Sequence, residues 1–156
     1  MVIMVKKIIF ALACVLSAAT AFARAATSDL DSTTFKGRFD NKEFDVYIVL
    51  DAYHNNVTVP DQEVYGEMPG YLGDYQDGRK WLFTASAIKD AKTIELCVVN
   101  DYGSEDLAAT FSLKKDGTYV LRQEKGSGLK IARNRKWLKL PKEMVFVRNG
   151  DREAPR

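Results

Sequence analysis

Histidine occurs once in this chain, as His54, and cysteine twice, as Cys14 and Cys97. That scarcity excludes several chemistries. Structural and catalytic zinc sites need several Cys or His ligands, and only His54 and Cys97 lie past the first 25 residues. A serine or cysteine triad would need His54 beside its nucleophile, with a third group orienting the ring. His54 sits instead in the polar turn "AYHNN", and no G-x-S-x-G elbow is present. P-loop and dinucleotide glycine patterns are missing too. "GSGLK" from Gly126 shares only composition with a phosphate loop and reads as a hairpin turn. The chain is therefore read with no catalytic residue, no metal and no cofactor.

Long apolar runs are equally scarce, and the one present is N-terminal. In "MVIMVKKIIFALACVLSAATAFARAA", Lys6 and Lys7 precede an apolar stretch from Ile8 to Phe22. The stretch is shorter than the about 20 residues a transmembrane helix needs. Small residues follow in A-x-A spacing, as Ala21-Phe22-Ala23 or Ala23-Arg24-Ala25. Residues 1–25 are read as a cleaved secretory signal, which puts the protein in the periplasm or outside the cell. "ALAC" at Cys14 lacks the leucine a lipoprotein signal would carry. After cleavage the chain holds one domain over residues 35–148, flanked by disordered segments at 26–34 and 149–156.

A strong net charge is also lacking. The formal charge of +2 includes Lys6 and Lys7, so the exported chain is near neutral and carries no global field for nucleic acid. The charge is uneven: acidic residues dominate from Asp29 to Asp116, and basic residues from Arg122 onward. Helical periodicity is the last absence, since nothing between residues 30 and 150 sustains a period of 3.6.

What is there is alternation. In "FDVYIVL", Phe44, Val46, Ile48 and Leu50 share one face, with Asp45, Tyr47 and Val49 opposite. Phe35 and Phe39 share a side of "TFKGRF". Trp81, Phe83, Ala85 and Ala87 line one face of the next long strand, and Leu107, Ala109, Phe111 and Leu113 another. Asp116-Gly117 supplies a tight hairpin turn, followed by Tyr119 and Leu121; Met144 and Phe146 belong to the closing strand. Pro60 cannot donate to a ladder and marks an edge or bend. "PGYLGDYQDG" from Pro69 reads as the longest loop because of its glycines. A short strand spans Leu129 to Ala132, with a helix of a few turns as an alternative for Asn134 to Leu140. The sum is all-β: an antiparallel meander of 8–9 strands closed into a small barrel, which removes sheet edges, with a two-sheet sandwich as the alternative.

Cys97 sits in "IELCVVN", where Ile94, Leu96 and Val98 form the more apolar face. Cys97 then points outward, either inert in a well-paired strand or free to join two copies in a disulfide-linked dimer. Carboxylates in "GDYQDG" and "NDYGSED" lack the alternating spacing of a calcium loop. Tyr65, Tyr71, Tyr75 and Trp81 surround the glycine-rich stretch and are the expected ligand-binding residues: loop aromatics can stack on sugars or anchor a protein partner. The competing role for these rings is to fill the barrel end.

"VYGEMPGYLG", the meander through "KKDGTYVL" and the closing "WLKLPKEMVF" together resemble small exported bacterial barrels of the lipocalin- or avidin-like type. That resemblance implies a ligand binder or an enzyme inhibitor. The leading expectation is a non-enzymatic exported barrel binding a protein or small-molecule partner. The alternatives are a carboxylate-based hydrolase or calcium-dependent enzyme, and a structural envelope protein acting through the basic stretch "RNRKWLK" from Arg133.

Overall fold

The computed structural model describes residues 32–150. The expected export signal, most of the 26–34 segment and the tail from residue 151 lie outside the described residues. Among the described residues there are twelve strands: β1 (Lys36–Asn41), β2 (Val46–Asp51), β3 (Val57–Thr58), β4 (Glu67–Met68), β5 (Gly70–Asp74), β6 (Trp81–Asp90), β7 (Thr93–Asn100), β8 (Asp106–Leu113), β9 (Tyr119–Gly126), β10 (Lys130–Arg133), β11 (Lys136–Lys139) and β12 (Glu143–Arg148).

Eight of them close an antiparallel barrel in the order β1-β12-β9-β8-β7-β6-β5-β2. Closure of this kind leaves no open sheet edge, and it sets the sandwich alternative aside. Most neighbours are consecutive hairpins. Three are not: β1 pairs with β12 to close the barrel, β2 reaches β5 through an excursion carrying the β3–β4 hairpin, and β9 reaches β12 through one carrying β10–β11. The second excursion corrects the sequence reading. Asn134 and Arg135 form a two-residue turn with φ of 52° and 62°, and Lys136–Lys139 follows as a strand, so Asn134 to Leu140 is not a helix. A turn of this hand matches the twist of a hairpin.

Inward positions follow the expected alternation and are filled with side chains. At one end of the barrel Phe35, Phe39, Phe111, Tyr119 and Phe146 pack edge to face and stacked, with Phe39 and Tyr119 centroids 4.6 Å apart. Offset and T-shaped contacts are the favoured geometries for aromatic rings. Arg148 closes this end. Its guanidinium lies over Phe39 and Tyr119 and donates to the carbonyls of Thr33, Thr34 and Lys36. Thr33 and Thr34 are thereby pinned ahead of the expected domain start at Phe35.

Along β6 the alternation changes phase. A register shift between Phe83 and Ala85 inserts one residue, as a β-bulge does. Trp81 and Phe83 face the core, but Ala85 and Ala87 turn outward, opposite the expectation. Ala85 pairs with Cys97, and Cys97 pairs with Ala108 on its other side. Cys97 is a free, exposed thiol on the outer wall.

The largest departure from the sequence reading is β5. "GYLGD" is a barrel strand buried along its whole length, not a loop. Its glycines mark close approach. A Cβ on Gly70 would lie 2.1 Å from the Val49 carbonyl oxygen, and one on Gly73 would lie 2.3 Å from the Tyr47 ring. Tyr47, Val59, Met68, Tyr71 and Leu82 form a second apolar cluster apart from the barrel core. The β3–β4 excursion covers it, which explains why β2 and β5 are apolar on both faces.

Gly70→Ala should therefore lower unfolding stability by roughly 1–3 kcal/mol, the usual cost of overpacking. Gly78→Ala meets open space and should stay within about 0.5 kcal/mol of wild type. Urea denaturation of both variants checks this; equal effects would contradict the assignment of Gly70 to a packed strand.

Candidate functional site

The end of the barrel opposite the aromatic plug is roofed by the β10–β11 hairpin. Leu129, Ile131 and Leu140 at the hairpin base are buried in the barrel core. Gln123 on β9 holds the base together: its side-chain oxygen accepts from the Leu129 N–H at 2.7 Å, and its amide donates to the Pro141 carbonyl at 2.9 Å. The Trp81 indole N–H donates to the Lys130 carbonyl at 3.0 Å, tying β10 to β6.

The far end of β10 is tied by Arg133. Its guanidinium donates to both carboxylate oxygens of Asp74, at 2.6 and 2.8 Å, and to the Phe44 carbonyl at 2.7 Å. The side chains of Asp74 and Arg133 are 3% and 18% exposed, so this bidentate pair is largely out of water. The hydrogen bonds Arg133 donates to Asp74, and the negative charge of that carboxylate, raise the Arg133 pKa above its ordinary value, against a smaller opposing effect of burial. Chain segments distant in sequence (β1–β2 turn, β5, β10) thus meet at one guanidinium. Arg135, in the left-handed region without being glycine, costs roughly 1–2 kcal/mol.

Between the hairpin and the β5–β6 and β7–β8 loops lies a cleft of about 460 Å³. Leu72, Trp81 and Ile131 line it from the core side. Trp137 on β11 and Tyr102 on the β7–β8 loop flank it and are 56% and 75% exposed. Arg79 and Lys130 lie over the Trp137 ring, at 5.1 and 5.3 Å from its centroid, within cation–π range.

The charges around this cleft are mostly paired. Asp77 receives Arg79 at 3.0 Å, Glu105 receives Lys130 at 2.9 Å, and Asp74 is held by Arg133. Two groups stand apart. Lys80 is only 8% exposed, and among the described residues its ammonium has one acceptor, the Gly78 carbonyl at 2.9 Å. Among the described residues Asp101 receives one donor, the Lys80 backbone N–H at 3.3 Å. Carboxylates already committed to cations are poor calcium ligands. Among the described residues, no group of three or more His, Cys, Asp or Glu is arranged to hold a metal ion. His54 lies elsewhere, its Nδ1 3.0 Å from the buried Asp51 carboxylate.

The four aromatic residues expected to bind ligand do not share one site: Tyr71 and Tyr75 both pack around Tyr47, in a cluster that includes neither Trp81 nor Tyr65. Trp81 alone of them lines the cleft. Tyr71 is 3% exposed within the second apolar cluster, where burial and the neighbouring Tyr47 hydroxyl push its pKa well above the ordinary value. Tyr75 spends its hydroxyl inside the fold, donating to Asp40 at 2.6 Å and accepting from Arg38 at 2.7 Å. Tyr65 is exposed in a single 3-10 turn, Glu63–Tyr65, and is not among the cleft-lining residues. Tyr71 and Tyr75 both pack on the second apolar cluster, and the half-buried Tyr75 also lines two other surface clefts but not this one. The exposed rings that do line the cleft are Trp137 and Tyr102; the sequence marks Trp137 only by its place among the charges of "RNRKWLK", and Tyr102 by nothing beyond its turn.

Removing one partner of the clasp strands the other in a dry environment. Asp74→Ala should cost roughly 3–5 kcal/mol of stability, and the double replacement Asp74→Leu with Arg133→Met should recover much of it. Guanidinium melts of the two variants read this directly; a double variant as unstable as Asp74→Ala would contradict it.

Compared with known proteins, the chain matches no protein family, no curated protein and no solved structure.

Proposed function

We propose that the chain is an exported, non-enzymatic barrel that binds a small ligand in the cleft under the β10–β11 hairpin. The observation that carries this reading is the pairing of exposed and buried surface at one place. Two exposed rings, Trp137 and Tyr102, border a cleft whose depth is lined by the buried Leu72, Trp81 and Ile131. Small-ligand sites are concave, with apolar and aromatic walls and oriented polar groups, typically in ~300–1,000 Å³; this cleft has the size, and it sets an apolar and aromatic wall against a rim of mostly paired charges. The barrel by itself implies no function; only the cleft points to a ligand.

Export rests on the sequence of residues 1–25, with its basic start, apolar run and A-x-A spacing. It fits a periplasmic or secreted location. Among the described residues no helix is long and apolar enough to cross a membrane. A disulfide between two copies through Cys97, exposed on the barrel wall, would not involve the cleft.

Native mass spectrometry tests the reading. The purified protein is incubated with the low-molecular-weight fraction of an envelope extract. Wild type should retain a small adduct that Trp137→Ala loses. No adduct, or an equal adduct on both proteins, would contradict a ligand site at this cleft.

A further inference from the structure

The cleft also specifies a chemistry. Each of three carboxylates around it has its own cation: Arg133 with Asp74, Arg79 with Asp77, and Lys130 with Glu105. Those pairs present little net charge to an incoming ligand. What remains is one cation, Lys80, and one anion, Asp101, each with a single partner among the described residues. An ammonium has three donors, and a carboxylate about four acceptor sites, so both have hydrogen-bonding capacity to spare. Their opposite signs again cancel.

We propose that the cleft takes a neutral saccharide, one ring face against Trp137 or Tyr102 and its hydroxyls accepting from Lys80 and donating to Asp101. The inference rests on the small-ligand reading above and deepens it. A sugar ring has an apolar C–H face and a polar edge, and the cleft offers an aromatic border next to a donor and an acceptor. A charged ligand is disfavoured on both signs. An anion would meet Asp101 and the paired Asp77 and Glu105; a cation would meet Lys80 and the two cations already over Trp137. A hydroxyl differs from both, since it donates and accepts at once and needs no counter-charge when desolvated.

The chain reports on itself. It has two tryptophans, Trp81 and Trp137, and both line the cleft. Cellotriose, maltotriose and chitotriose are titrated into the full protein to millimolar concentration while tryptophan emission is followed; glycylglycine and a galacturonate trisaccharide are run beside them. At least one neutral saccharide should shift the emission saturably. Calorimetry of the variants should then show binding weakened roughly tenfold or more by Trp137→Ala and by Asp101→Asn. The asparagine keeps an oxygen for the Lys80 N–H, so its effect separates charge from folding. Val64→Ser, on the exposed 3-10 turn, should bind as wild type does.

Saturable shifts with glycylglycine or the galacturonate trisaccharide alone would overturn the neutral saccharide and leave the small-ligand reading standing. Silence from every probe, together with an adduct in native mass spectrometry, would do the same. Silence in both experiments would remove both readings. A neutral saccharide bound equally by wild type and Trp137→Ala would place it elsewhere and overturn the assignment to this cleft.

Discussion

One buried ion pair organises the open end of this barrel. Arg133 and Asp74 join strands far apart in the chain, and the guanidinium also takes the Phe44 carbonyl at the β1–β2 turn. A largely buried pair is not a large net source of stability, because desolvation consumes most of the Coulombic gain. Its value is geometric. A bidentate guanidinium–carboxylate contact fixes orientation as well as distance, and here it fixes a four-residue hairpin arm across the barrel end. Without it β11, exposed along its whole length, would have little to hold it in place beyond the strand it pairs with.

That constraint propagates. With the arm fixed, Trp137 stands over the β5–β6 loop, where Arg79 meets its ring, and beside Lys130, which meets Glu105 on the β7–β8 loop. The cleft is the space these contacts leave. The opposite end needs no such device, because Phe35, Phe39, Phe111, Tyr119 and Phe146 fill it and Arg148 seals it. The two ends divide the labour of the fold: one is a plug of rings, the other a roof on struts.

The barrel was legible in the sequence because period-two alternation survives wherever a strand has one wet face. Val46, Ile48 and Leu50, or Leu107, Ala109 and Phe111, announce their faces directly. Legibility failed where that condition failed. β5 is buried on both faces, so it shows no alternation, and its glycines look like loop punctuation when they are clearances for Val49 and Tyr47. The bulge after Phe83 reversed Ala85 and Ala87 by inserting a single residue, which no composition signal marks. The site was less legible still. Tyr65, Tyr71, Tyr75 and Trp81 are close in sequence, but a strand sends neighbours to opposite faces, so Tyr71 joined the second cluster and Trp81 the barrel core. The cleft depends instead on pairings across long separations, Arg133 with Asp74 and Lys130 with Glu105, which local patterns do not encode.

Hydrogen exchange, read by mass spectrometry over Lys130–Lys139, tests the organising role of the clasp most directly. Strand amides held in place exchange slowly, and release lowers their protection toward that of fraying segments. In wild type the hairpin should be protected comparably to β9, and Asp74→Asn should deprotect the hairpin while β7 and β8 stay unchanged. A hairpin that exchanges freely in wild type, or one whose protection survives the loss of the carboxylate, would contradict the account.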